Sequence, residues 1–145
     1  MKITSVSIEN NKDIPSLYTC DGKDISPHLK WSEFPEETKS FALNCIDPDS
    51  PSGNFVHWAV VNIPAKTYEI KEGEINIPEA LNLENDFGKT GYGGPCPGSG
   101  KHRYVFTIYA LSTNLLSEIN KDNMLQVINP YILDQTSITG YYQRK

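Results

Sequence analysis

Four short stretches of the chain predict β-strands, either because apolar and polar positions alternate along them or because they are rich in apolar, β-branched and aromatic residues. The stretches are Ile3 to Ile8, Ser40 to Ile46, His57 to Ile63 and Arg103 to Leu111. In the second, Phe41, Leu43 and Cys45 share one face. The third is nearly all apolar, which is typical of a strand buried on both faces. Turn-rich segments separate these strands, so the pattern favours an antiparallel β-sandwich over parallel βαβ units.

Helical spacing of apolar residues is confined to the C-terminal third. It is carried by Met124, Leu125, Val127 and Ile128, with Asp122 as a candidate N-cap. Pro130 prevents a simple continuation of this helix. Either the helix kinks there, or Asn129 caps a second short helix with Pro130 at its first position. The last segment, Ile138 to Gln143, returns to strand-like composition.

Composition and charge narrow the class of protein. A chain of 145 residues is the size of one domain, so we expect residues 1–145 to form a single domain. Ten glycines and ten prolines favour many turns over a helical bundle. The net charge of −5 argues against nucleic-acid binding and against adhesion to an anionic membrane surface. No apolar run approaches the ~18 residues of a membrane span, so no integral membrane contact is expected.

The cysteines suggest a compartment. There are three of them (Cys20, Cys45 and Cys96), and no pair has metal-type spacing such as C-x-x-C. The N-terminal residues also lack the apolar core of a secretory signal. We therefore expect a reducing cytoplasm, with Cys96 as a free thiol of low reactivity. The alternative is a catalytic nucleophile at Cys96 beside a histidine.

A glycine-rich loop, Phe87 to Lys101, contains six glycines and two prolines and runs directly into a predicted strand. It is either a plain connection or a loop whose backbone approaches a ligand closely. It is not a phosphate-binding loop of the nucleotide type, because Leu83 stands where Gly88-Lys89-Thr90 would need the first glycine.

Two carboxylates and two histidines flank the predicted central strands. Asp47 and Asp49 follow one strand, and His57 and His102 stand at the mouths of two others. A carboxylate can fix a histidine tautomer or raise its pKa, and the histidine can then donate to an anion. The alternatives are Asx-turns for the aspartates, structural roles for the histidines, or a divalent metal held by all four. His28 is interpreted as an ordinary loop residue.

Two longer strings identify a family. DPDSP followed by His57-Trp58, and GYGGPCPGSGKHRY from Gly91 to Tyr104, resemble the two signature regions of the phosphatidylethanolamine-binding protein family. YTCDGKDISPHLKW, from Tyr18 to Trp31, resembles its bacterial and archaeal Raf-kinase-inhibitor-like branch. The resemblance covers almost the whole chain. It implies an antiparallel β-sandwich with short C-terminal helices.

The resemblance also implies a ligand and a site. The family has a small pocket for phosphate-like anions, supplied by a phospholipid headgroup, a nucleotide or a phosphoprotein. Carried over residue by residue, its members here are Asp47, His57, Gly94, His102 and Tyr104, with Asp49 at the rim and Pro95 in the wall. The resemblance further implies a binding protein that needs no cofactor or metal. Its expected protein partner is a kinase or a peptidase, and a homodimer is a further possibility. A hydrolase of phosphoesters that uses the His/Asp cluster is the alternative.

The negative net charge sets a condition on such a pocket. Long-range attraction cannot bring the anion, so directed donors must hold it: an imidazole N–H of His57 or His102, the Gly94 N–H and the Tyr104 O–H. Asp47 would accept from a histidine and keep it oriented as a donor. At least one histidine should then have a raised pKa.

Overall fold

The computed structural model describes residues 1–144, which fold mainly into β-strands arranged in two sheets. The strands are β1 (Lys2–Thr4), β2 (Lys12–Asp13), β3 (Leu29–Ser32), β4 (Ser40–Asp47), β5 (Phe55–Pro64), β6 (Glu69–Ile70), β7 (Leu81–Asn82), β8 (His102–Leu111) and β9 (Ile132–Tyr142). The small sheet has the order β1-β3-β6, and the large sheet β2-β9-β8-β4-β5-β7. Every described pairing is antiparallel except β2 with β9. The predicted fold class is therefore confirmed.

The central strand β4 separates two apolar cores. Phe41, Leu43 and Cys45 face the small sheet and belong to the larger core, which also contains Trp31. The alternate residues of β4 face the other side of the large sheet, where Ala42 packs in a second core with helical residues. The period-two pattern of the sequence predicted this division of β4 because successive side chains of a strand point to opposite faces.

The first predicted strand is shorter than expected. β1 ends at Thr4, four residues before Ile8. The Ser5 hydroxyl oxygen accepts hydrogen bonds from the backbone N–H groups of Ser7 and Ile8, at 3.0 and 3.1 Å. Such a local side-chain turn competes with strand pairing and directs the chain away from the sheet.

The C-terminal helices follow the second of the two predicted alternatives in having a second short helix that contains Pro130, but its N-cap is Ile128, so the expected cap at Asn129 is wrong. Helix α1 spans Met124–Ile128, and a separate 3-10 helix spans Asn129–Tyr131 with Pro130 in its first turn. Asp122 is not the N-cap, since that position belongs to Asn123, which makes no capping side-chain hydrogen bond. β9 begins at Ile132, six residues earlier than the predicted strand, because it pairs along nearly the whole of β8.

The expected free thiol of Cys96 is wrong. Cys96 forms a disulfide bond with Cys20, 76 positions away, while Cys45 is free and buried. Two of the three cysteines are thus paired. The odd number of cysteines is therefore no longer an argument for a reducing compartment. Helices of membrane-spanning length and hydropathy do not occur within residues 1–144.

Candidate functional site

A small cavity of 140 Å³ opens where the ends of β4, β5 and β8 meet. It is lined by Asp47, Ser50, Pro51, Phe55, His57, Phe87, Cys96, Pro97, Gly98, His102 and Tyr104. Asp47 is the last residue of β4 and His102 the first of β8, so the antiparallel register brings both to the same end of the sheet. The structure therefore brings together four of the seven predicted site residues: Asp47, His57, His102 and Tyr104.

A β-bulge aims His57 at this cavity. Cys45 pairs with Trp58 and Ile46 pairs with Val56, which leaves His57 as an extra residue on β5. Val56 packs in the second core, whereas His57 faces the cavity and Trp58 packs in the larger core. Bulges re-aim side chains in this way next to functional sites. Strict alternation along the sequence does not predict it.

Asp47 and His102 form a buried pair. His102 Nδ1–H donates to Asp47 Oδ2 at 2.7 Å, and His102 Nε2–H donates to the Ser99 carbonyl oxygen at 3.0 Å. Because both partners are acceptors, the arrangement fits an imidazolium paired with a carboxylate. Both N–H groups of His102 are occupied. The expectation that His102 donates directly to an anion therefore does not hold in this geometry.

His57 is held by the glycine-rich loop rather than by Asp47. Its Nδ1–H donates to the Gly93 carbonyl oxygen at 2.7 Å, and its own carbonyl accepts from the Gly93 N–H at 2.9 Å. Burial lowers the pKa of His57, so the rise expected for at least one histidine does not occur at this residue. With Nδ1 occupied, Nε2 is the ring's remaining polar atom for the cavity, and in the neutral ring it is an acceptor.

Tyr104 lines the cavity and has a buried, unpaired hydroxyl. The side chain is fully buried, and within residues 1–144 its hydroxyl oxygen has no hydrogen-bond partner. Burial, with the negative charge of Asp47, raises its pKa well above the usual range, so the group stays protonated. Buried polar groups are nearly always satisfied, and a bound ligand would satisfy this one.

Gly94 and Pro95 do not serve the cavity as expected. The Gly94 N–H donates to Asp24 Oδ1 at 2.7 Å, and the Pro95 carbonyl accepts from the Cys20 N–H at 3.1 Å. A Cβ on Gly94 would collide with the Tyr18 carbonyl. Both residues therefore join the glycine-rich loop to the segment before β3, and neither lines the cavity.

Asp49 lies at the rim in an ion pair with Arg103. The guanidinium Nη2 donates to Asp49 Oδ1 at 2.8 Å, and the Arg103 backbone N–H donates to Oδ2 at 2.9 Å. These hydrogen bonds lower the pKa of Asp49 to about 2. Asp47 Oδ1 also accepts from the Asp49 backbone N–H at 2.8 Å, which is the hydrogen bond of an Asx-turn. Asp47 therefore forms this turn and contacts His102 at the same time.

Two aromatic residues of the cavity were missed by sequence reasoning. The rings of Phe55 and Phe87 lie 4.8 Å apart, and each is within 5.2 Å of the His57 ring. They form an aromatic rim beside the imidazole. Phe87 comes from the start of the glycine-rich loop, and nothing in its local sequence signals that it folds over His57.

His28 is more than an ordinary loop residue. Its Nε2–H donates to Glu69 Oε2 at 2.7 Å, and its Nδ1 accepts from the Val6 N–H at 3.1 Å. It ties the segment after β1 to β6 and takes no part in the cavity. Groups of three or more His, Cys, Asp or Glu side chains placed to hold a metal ion do not occur in residues 1–144.

Comparison with known proteins identifies the family. The family model described as "Phosphatidylethanolamine-binding protein" matches residues 4–143. The chain belongs to the phosphatidylethanolamine-binding protein family. A UPF0098 protein of Aquifex aeolicus is 48% identical over 153 residues, which cover 99% of this chain and 89% of the relative. The UPF0098 protein YbhB of Escherichia coli is 42% identical over 123 residues, covering 77% of this chain and 78% of YbhB.

Solved structures of the family agree with the fold. The crystal structure of Escherichia coli YbcL, described as a new member of the mammalian family, matches with a TM-score of 0.92 and 32% identity, covering 99% of this chain and 98% of YbcL. A putative family homolog from Chlamydia trachomatis matches with a TM-score of 0.91 and 35% identity, covering 99% of this chain and 97% of the homolog. The resemblance seen in the sequence is confirmed, and the protein is a small binding protein of this β-rich family.

Proposed function

We propose that the 140 Å³ cavity binds a phosphate-like anion and that the protein is a binding module rather than an enzyme. The observation that carries this proposal is the fully buried Tyr104 hydroxyl, which has no partner among residues 1–144 and lies at the same cavity as His57. A phosphoryl oxygen would accept from this hydroxyl. The cavity has room for one phosphate-sized group, on a phospholipid headgroup, a nucleotide or a phosphoprotein.

The charges around the cavity set how the anion is held. Asp47 accepts a hydrogen bond from His102, so it repels an anion less than a carboxylate without a partner would. His57 contributes a donor only when it takes a proton on Nε2, because its Nδ1–H is bonded to Gly93. Binding should therefore be accompanied by uptake of a proton, or should select a phosphate that keeps its own proton.

The aromatic rim favours a phosphate with an organic substituent. Phe55 and Phe87 stand beside His57 at the cavity, and 45% of the Phe87 side chain is exposed. Aromatic faces bind apolar groups and organic ammonium ions, which ethanolamine headgroups carry. We therefore expect phosphoethanolamine to bind more tightly than inorganic phosphate.

The cellular role is also part of the proposal. We propose modulation of a kinase or peptidase and a homodimer on the sequence resemblance, and a cytoplasmic location on the composition, to which the Cys20–Cys96 disulfide adds no support. A phosphoryl group on a partner protein could occupy the cavity as a free phosphate does, since the same donors would hold it.

Hydrolysis of phosphoesters is the second candidate. Lowering of the His57 pKa by burial favours the neutral ring, and a neutral Nε2 at the cavity is the form a general base needs. Against it, His102 has no free N–H to protonate a leaving group. Incubation with a phosphoester such as p-nitrophenyl phosphate, with and without divalent metal, distinguishes the two functions. Turnover that His57→Gln abolishes would favour the hydrolase.

The binding test is calorimetric titration with inorganic phosphate and phosphoethanolamine. Tyr104→Phe removes one donor to a charged group and should weaken binding at least tenfold, at about 1.5–3 kcal/mol per such bond. Tyr109→Phe is the matched control, because Tyr109 is a buried tyrosine of the same strand that packs in the other core. Equal affinities for all three proteins would place the ligand elsewhere.

A further inference from the structure

The disulfide between Cys20 and Cys96 lies in the wall of the proposed binding cavity. Cys96 is one of the lining residues, and its partner belongs to the segment that precedes β3. We propose that this disulfide is a redox control of the cavity: the oxidised protein holds the phosphate-like ligand, and reduction weakens that hold. The inference rests on the proposed function, because it regulates the same site.

The disulfide is the main attachment of the wall that follows it. Residues up to Pro95 are fixed by hydrogen bonds, including Tyr92 to the Tyr18 carbonyl and Gly94 to Asp24. Between Cys96 and Gly100, the structure shows one hydrogen bond to the rest of residues 1–144, from His102 Nε2–H to the Ser99 carbonyl. Opening the disulfide would leave this stretch attached through the chain to Pro95 and to β8, with the Ser99 carbonyl as its one hydrogen-bonded contact.

Movement of the wall would reach the charged pair. The Ser99 carbonyl orients His102, and the other N–H of His102 donates to Asp47. If the wall shifts, His102 loses one of its two acceptors and its position beside Asp47 is less fixed. The carboxylate is then less firmly hydrogen-bonded at the cavity, and the ligand must also restore the order of the wall. Both effects lower the affinity for an anion.

The chemistry requires a dithiol reductant. One thiolate of the reductant attacks a sulfur of the Cys20–Cys96 bond and forms a mixed disulfide, and its second thiolate then resolves that bond. Two electrons and two protons pass to the protein, which gains two thiols, while the reductant becomes a disulfide. Both cysteines are partly exposed, so a reductant can reach them. In a cytoplasm, where disulfides are often redox sensors, such reductants are abundant.

The test compares inorganic phosphate binding by the oxidised and the dithiothreitol-reduced protein. Thiol titration of the denatured protein should give one thiol before reduction and three after it. We expect at least threefold weaker binding after reduction. The Cys20→Ser/Cys96→Ser double variant should bind like the reduced protein and ignore reductant. Cys45→Ala is the matched control, because Cys45 is unpaired and buried in the core, and it should keep the full redox response.

Each outcome decides between the two proposals. Equal affinity in both redox states overturns redox control and leaves phosphate binding intact. If the oxidised protein binds neither inorganic phosphate nor phosphoethanolamine, the proposed function fails and redox control with it. Circular dichroism of the reduced wild-type protein supplies a second measurement that does not need the variant to fold. Global unfolding on reduction would overturn the proposal of a local control.

Discussion

His102 Nδ1 lies 2.7 Å from Asp47 Oδ2, although 55 positions separate the two residues in the chain. The contact joins the end of β4 to the start of β8, and these strands are neighbours in the large sheet. Asp47 thereby serves the cavity through His102 rather than through His57. This changes what a substitution of Asp47 should do.

Asp47→Asn removes the carboxylate charge that faces the His102 ring but keeps an oxygen acceptor. We expect a loss of stability of about 1–3 kcal/mol, the scale for a buried hydrogen bond to a charged group, and weaker phosphate binding. Urea unfolding and calorimetry measure the two effects. Asp13→Asn is the control, because Asp13 makes an exposed ion pair with Lys101 and should change stability by less than about 1 kcal/mol. Equal losses in both variants would contradict the special role of Asp47.

Phosphate affinity should rise as pH falls through the neutral range. Burial lowers the pKa of His57 in the free protein, and a bound anion favours its protonated form. A pKa that is higher in the complex than in the free protein means proton uptake on binding. Affinity therefore increases as pH falls from the pKa of the complex to that of the free protein.

Calorimetry in two buffers of different ionisation enthalpy measures the proton uptake directly. His57→Gln should abolish it, whereas His28→Gln, away from the cavity, should preserve it. A pH-independent affinity, with no proton exchanged, would contradict protonation of His57 on binding.

The Asp49–Arg103 ion pair should stabilise the fold only above strongly acidic pH. The pKa of Asp49 is lowered to about 2 in the folded protein, against about 3.9 in an unfolded chain. Its contribution is fully present above pH 4 and is lost as pH falls through 2. Because both side chains are partly exposed, we expect Asp49→Asn to cost at most about 1 kcal/mol at pH 6. Urea unfolding at pH 6, 4 and 2 should show this difference shrinking, and a constant difference would contradict it.

Two glycines of the same loop should respond oppositely to alanine. A Cβ at Gly94 would meet the backbone of Tyr18, so Gly94→Ala should destabilise the protein by about 1–3 kcal/mol. A Cβ at Gly98 would meet nothing within 4 Å, so Gly98→Ala should be neutral or slightly stabilising. Thermal unfolding of the two variants measures the contrast. Similar melting temperatures would refute the packing role assigned to Gly94.

Much of the fold can be predicted from the sequence because strands and helices leave local patterns of apolar residues. β4, β5 and β8 were located to within two residues at each end, and α1 from its helical spacing, since burial repeats with the geometry of each element. The aspartates and histidines were found because they stand at strand ends. The family followed from long strings of residues in order.

The tertiary structure decided what these residues do. Three of these roles depend on contacts across 36 to 76 positions of the chain. They are the disulfide between Cys20 and Cys96, the hydrogen bond of Asp47 to His102 rather than to His57, and the hydrogen bond of His57 to Gly93. A period of two specifies which face a side chain occupies, but not which strands become neighbours or where a bulge interrupts the alternation. Those choices follow from the register of the whole sheet, because each strand's position is set by the packing of all the others.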